Sequence, residues 1–224
     1  MIFFPPFLPT GLNPYHQYYH VLMNGHNLTQ QRKDSTTWRD DFVAVDEPAR
    51  IISAAPHGGD VEPKTAEQAI TVAETTPSCS VWGCRGYDEG GNAFDTWHEP
   101  SHLISPGDYA YLPDVKRLDF ETAVTYHGYS PSSDVPHPDV YVGGGTPDRV
   151  LQQVADEIRG RADVEVWIAE QGDGLYREYS GTDPYNLTNW LADNGIQLEQ
   201  TYSARQEHGT QIAEGVAQAL KVLH

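Results

Sequence analysis

The chain has 224 residues, long enough for one well-cored domain and too short for two ordinary ones joined by a linker. A hydrophobic fraction of 38% with 11% aromatics excludes a disordered chain, while 20 glycines and 16 prolines predict many turns and long loops. Asp and Glu number 32 against 14 Lys and Arg, a net charge of −18 spread along the chain, which excludes nucleic acid as a partner and resembles the surfaces of proteins adapted to high salt.

Residues 1–49 show no sustained period of 3.6 or 2 and read as an extended N-terminal arm. Phe3, Phe4, Phe7, Tyr15, Tyr18 and Tyr19 are too many aromatics for a free tail, so the arm either packs on its own domain or contacts a partner, including a second copy. The apolar run Met1–Leu8 is broken by Pro5 and Pro6 and lacks a basic leader and a cleavage pattern. Neither a signal peptide nor a membrane span fits it, which predicts a soluble protein.

Residues 50–224 form the predicted domain. Arg50–Ala55 is a buried strand that ends at Pro56, and Thr65 with Gln68 is a capping-box pattern opening a helix through Glu74. Strands are predicted at Ser78–Cys84, Glu121–Tyr126, Asp139–Val142, Val164–Ala169 and Ile196–Leu198, with a helix at Asp148–Arg159. Ile212, Val216 and Leu220 give the segment Gln206–Leu223 one apolar helical face. This alternation predicts an α/β fold, a single domain with a mixed, mostly parallel sheet flanked by helices. Cys79 and Cys84 are five apart, which suits neither a redox pair nor a zinc knuckle, and they read as two small thiols.

Candidate chemistry gathers at strand ends. The first strand runs into His57, Gly58, Gly59 and then Glu62, where two glycines let the backbone curl so that an imidazole and a carboxylate can face one ion. A second strand ends in His127 and Gly128, and the three side chains make a His₂Glu set of the kind that holds catalytic zinc with one position open. Glu199 follows the short strand Ile196–Leu198, where apolar neighbours would partly desolvate it and raise its pKa toward the range of a general base, although on these residues alone a solvated edge carboxylate is the stronger reading. His98 and His102 flank Glu99 in WHEPSH, which looks like a second ligand cluster, but Pro100 excludes the regular helix of an H-E-x-x-H zinc motif, and lining of the active cleft is the lesser reading for them. His16, His20, His26 and His137 read as surface residues, and Asn27-Leu-Thr29 and Asn186-Leu-Thr188 as chance matches to a glycosylation pattern.

HGGDVEPKTAEQA (57–69) resembles the first motif of the poly-γ-glutamate hydrolase family, which occurs in bacteriophages and phage-related proteins. NAFDTWHEPSH, AVTYHGYS, VYVGGGTPDRV and IQLEQTYSAR resemble its later segments in the same order, so the likeness spans roughly residues 50 to 220. The resemblance implies a zinc carboxypeptidase-like core hydrolysing γ-glutamyl amide bonds of an anionic peptide-like polymer. It also implies zinc on His57, Glu62 and His127, a catalytic carboxylate at Glu199, and Arg205 as a bidentate fork for a substrate carboxylate. Lys64, Ala66 and Gln200 depart from the family pattern and bear on substrate choice. Two other readings accompany it: a zinc peptidase or amidase acting on other peptides, and a virion structural or attachment protein assembling through the arm. The expected location is accordingly virion-associated, or otherwise cytoplasmic.

Overall fold

The computed structural model describes residues 27–132, 134, 136–169 and 179–224. Most of the aromatic arm, residues 1–26, lies outside the described residues, and with it the expectation of a self-contact or partner contact. One eight-stranded sheet carries the fold. Its strands are β1 (Asn27–Arg32), β2 (Thr37–Ala44), β3 (Ile51–Gly59), β4 (Cys79–Asp88), β5 (Phe120–Gly128), β6 (Val140–Gly143), β7 (Val166–Ile168) and β8 (Ala192–Gln200), in the order β1-β2-β4-β3-β5-β8-β6-β7. The central four, β4-β3-β5-β8, are parallel; β2 and β6 run antiparallel against either side of them.

Helices α1 (Thr65–Thr75), α4 (Asp148–Arg159) and α6 (Tyr202–Leu223) cover one face, and the short α3 (Leu112–Lys116) and α5 (Leu187–Leu191) the other; α2 (Ala93–Trp97) follows β4. The alternation of a strand buried on both sides explains the division: Ile51 and Ala55 of β3 point to the first face, Ile52 and Ala54 to the second. Ile212, Val216 and Leu220 are fully buried, as their spacing predicts. Among the described residues no helix is long and apolar enough to cross a membrane. Cys79 and Cys84 are buried free thiols, and burial pushes the Cys79 thiol up to about 12.

Three expectations need correction. Residues 27–44, assigned to the arm, contribute β1 and β2 to the same sheet. β1 is exposed throughout, and β2 buries Asp40 and Asp41 beside Arg85 and Arg39 (3.7 Å each), so polar residues sit where a period-2 reading demands apolar ones. β3 does not stop at Pro56; it continues to Gly59 across a register shift between Ala55 and Gly58, the kind of irregularity that accommodates a residue without N–H. No capping box opens α1: Lys64 occupies the N-cap in the left-handed region (φ 79°), and Thr65 Oγ1 donates back to the Glu62 carbonyl at 2.8 Å.

Gln68 instead reaches across to Gln200. The two buried amides form a reciprocal pair, Gln68 Nε2 donating to Gln200 Oε1 (2.7 Å) and Gln200 Nε2 to Gln68 Oε1 (2.9 Å), with further donations to the carbonyls of Gly209 and His127. Gln200 is fully buried, and Ala66, 1% exposed, fills a place 2.6 Å from where a Cβ on Gly58 would stand. Ala66 and Gln200, two of the three departures from the family pattern, are thus packed in the interior, and the third, Lys64, is exposed. Leucine at either glutamine orphans the other's amide and is expected to cost about 1–3 kcal/mol, whereas the double variant should recover much of that loss. Urea denaturation of the three variants measures this, and strictly additive losses would contradict the pairing.

Candidate metal centre

His57, His127 and Glu199 stand at or near the carboxyl ends of β3, β5 and β8, three adjacent parallel strands, where open α/β sheets bind their ligands. The bulge at Pro56 precedes His57, and the loop after it closes tightly: the Glu62 amide donates to the His57 carbonyl at 2.7 Å. Gly59 makes that turn at φ 73°, where a Cβ would lie 2.6 Å from the Gly86 carbonyl oxygen. The loop thus brings Glu62 back over His57.

The expected set converges. His57 Nδ1 lies 3.3 Å from Glu62 Oε1, His127 Nδ1 3.6 Å from Glu62 Oε2, and the two Nδ1 atoms 3.2 Å from each other. All three residues are buried: 1%, 4% and 3% exposed for His57, Glu62 and His127. The outer nitrogens are held by the segment after α2. His57 Nε2 meets the Glu99 carbonyl oxygen at 2.7 Å, and His127 Nε2 meets Ser101 Oγ at 3.1 Å. A carbonyl only accepts, so Nε2 of His57 carries the proton, and in the neutral ring Nδ1 is then a bare lone pair. That lone pair faces a carboxylate whose other oxygen, Oε2, is buried without a hydrogen-bond donor. Acceptors gathered this way need a cation or a proton between them.

The electrostatics agree. Burial pushes the Glu62 carboxyl up, but His57 and His127 outweigh it and hold the group well below the usual carboxylate range. At His57, burial opposes the charged form but the Glu62 carboxylate prevails and the pKa rises; at His127 burial prevails and it falls.

A third histidine, the lesser candidate in the sequence, joins the cluster. His98, at the C-terminal end of α2, brings Nε2 to 3.7 Å from Glu62 Oε1, its ring 4.4 Å from that of His57 and stacked on Phe94 at 4.3 Å. Burial, reinforced by His57, lowers its pKa to about 4. WHEPSH is indeed not a zinc-motif helix, since α2 ends at Trp97; it works as a loop that supplies His98, the Glu99 carbonyl and Ser101, while His102 is exposed. The proximity of His98 to Glu62 depends on how that loop crosses the strand ends, which no local spacing encodes.

Glu199 pairs in register with His127 on the neighbouring parallel strand, so the two side chains share a face about 5 Å apart. Its environment differs from the one expected. Ile196 and Leu198 belong to the face covered by α1, α4 and α6, whereas Glu199 lies with Gln197, whose Nε2 donates to Glu199 Oε1 at 2.9 Å. Tyr141 of β6 stands opposite Glu199 on the other side, its ring stacked on Tyr179 at 4.9 Å. Arg205, in the first turn of α6, is 6% exposed and donates from Nη1 to the Pro63 carbonyl at 3.0 Å. Its guanidinium lies against Gly128, where any Cβ would stand 2.4 Å from Cζ. Burial lowers its pKa, against the pull of Glu62 and Glu199. Among the described residues Nη2 has no acceptor. Asn186, which matched a glycosylation pattern, is a buried helix cap accepting from the Thr188 amide.

This fold is that of the metallo-carboxypeptidases. The chain is similar to a metallo-carboxypeptidase from Pseudomonas aeruginosa in complex with (2-guanidinoethylmercapto)succinic acid (TM-score 0.52, 14% identity, 93% of this chain and 68% of that one). It is also similar to a putative carboxypeptidase A from Shewanella denitrificans OS-217 (0.53, 12%, 93% and 68%) and to a putative metallopeptidase from Shewanella amazonensis SB2B (0.51, 11%, 93% and 91%). No curated protein matches the chain by sequence. The chain belongs to the poly-γ-glutamate hydrolase family, whose model matches residues 23–215, and it shares its fold with these metallo-carboxypeptidases.

Proposed function

We propose that this protein cleaves γ-glutamyl amide bonds of poly-γ-glutamate, with zinc on His57, Glu62 and His127. The observation that carries the reading is the buried meeting of His57 Nδ1 and His127 Nδ1 with the Glu62 carboxylate, whose Oε2 accepts no hydrogen bond. Two imidazoles and one carboxylate are a donor set suited to zinc with a position left open. Zinc held there supplies Lewis acidity, polarising a carbonyl oxygen and lowering the pKa of water.

The chain's own groups do the rest. Glu199, beside His127, takes the proton of the attacking water and returns it to the leaving nitrogen, so that one carboxylate serves as base and then as acid. The Gln197 amide fixes the carboxylate for that task. Arg205, already anchored on Pro63, directs Nη2 to a substrate carboxylate, which a glutamyl polymer presents at every residue. A polyanion approaching a protein of net charge −18 is repelled at long range, and raising salt from 0.1 M to 1 M shortens the screening length from about 10 Å to about 3 Å. Metal analysis of the purified protein, with chain-length measurements on poly-γ-glutamate at both salt concentrations, tests the reading. Bound zinc and faster cleavage at high salt are expected. Zinc-loaded protein that leaves the polymer intact at both salt concentrations would remove poly-γ-glutamate as the substrate.

A further inference from the structure

Neither the strand-end pattern nor the family motif assigns a task to the imidazole that faces Glu62 from the solvent side. We propose that His98 is a fourth protein ligand of this metal centre, binding through Nε2 and able to withdraw. The proposal rests on the zinc reading of His57, Glu62 and His127.

Geometry comes first. A tetrahedral zinc with bonds of about 2.0–2.1 Å holds its ligand atoms about 3.4 Å apart. The contacts around Glu62 are 3.2 Å between the two Nδ1 atoms, 3.3 Å from His57 and 3.6 Å from His127 to the carboxylate, and 3.7 Å from His98 Nε2. His98 Nε2 reaches the same carboxylate oxygen as His57 Nδ1, Oε1, whereas His127 Nδ1 reaches Oε2. One donor atom from each of His57, Glu62 and His98 lies within 4.8 Å of the others. The ring is also aimed: Phe94 stacks on it at 16° between planes, and His57 packs against it at 41°. With Nε2 directed at Glu62, that nitrogen serves the shared centre.

Exposure then separates the roles. The His57 and His127 side chains are 1% and 3% exposed and sit on strands of the sheet, whereas His98 is 24% exposed and follows a helix of only five residues. Four protein ligands make a closed site, and catalysis needs one position open. Of the four, His98 is the one that solvent reaches and that a loop displacement can remove without disturbing a strand.

The test uses the full chain, stripped of metal and refilled with Zn(II) or Co(II). His98→Ala is compared with the wild type and with His102→Ala, an exposed neighbour. Zinc affinity is measured by chelator competition, and the Co(II) site by visible absorption. His98→Ala is expected to weaken zinc by at least the roughly 10-fold to 100-fold that loss of an outer-shell partner causes, and to shift the Co(II) bands as water replaces nitrogen. His102→Ala should match the wild type in both. A Co(II) spectrum superimposable on the wild type overturns the proposal, with or without an affinity change, because the ligand set is then the same. His98→Gln replaces the alanine variant if thermal melting shows that the latter does not fold. Wild-type protein that takes up neither ion defeats the zinc reading itself, an outcome distinct from a wild type that binds metal no differently from the variant.

Discussion

Glu199→Gln is expected to keep its full complement of zinc and to lose roughly 10²-fold to 10⁴-fold in turnover, the usual effect of removing acid–base help. The substitution is nearly isosteric and changes one oxygen into an amide nitrogen, so it removes proton affinity without emptying space. Register fixes where that loss is felt: Glu199 lies directly across from His127 on one side and Tyr141 on the other, on the face that carries the metal cluster. Gln197 donates to Oε1, and a glutamine at 199 can still accept that bond through its own carbonyl oxygen, which keeps the side chain in place. His127→Ala, by contrast, removes a ring that faces both His57 and Glu62, and is expected to lose zinc and turnover together. Metal content and initial rates on the two variants make the comparison. Near-normal hydrolysis by Glu199→Gln would remove the base from the mechanism while leaving the zinc assignment standing.

The sequence shows the parallel core and the helices on it because their signals are local and periodic. Asp148–Arg159 has the bounds expected of it, and β3, β4, β5 and β8 each contain the short apolar run that marks them. β1 and β2 escape because an exposed edge and a strand with buried, paired charges both break the alternation that marks a strand. At the site, His57, Glu62 and His127 are legible since each ends a strand or follows one within a glycine turn. Two things are not. Glu199 looks desolvated by Ile196 and Leu198, yet period 2 sends those side chains to the opposite face and leaves an amide as its neighbour. His98 and the outer contacts to Glu99 and Ser101 come from a loop 41 to 44 residues beyond His57, brought over the strand ends by tertiary packing alone.

Removing the metal with a chelator is expected to lower the melting temperature, and Glu62→Gln is expected to abolish that difference. Without a cation, His57 Nδ1 and the Glu62 carboxylate meet in a site only a few per cent exposed, and Oε2 accepts no hydrogen bond. A ligand that binds only the folded chain stabilises it by RT ln(1 + [L]/Kd), about 4 kcal/mol at a thousandfold excess over Kd. At about 2–4 °C per kcal/mol for a domain of this size, zinc should raise the midpoint by roughly 8–16 °C. Glutamine at position 62 changes that comparison, because the loss of charge removes the anionic ligand. Added zinc should therefore move the melting temperature of the variant little. Calorimetry of both proteins with and without zinc reads all four states. An unchanged wild-type midpoint would mean that no ion binds there, and a full zinc shift in Glu62→Gln would mean that Glu62 is a neighbour of the metal and not its ligand.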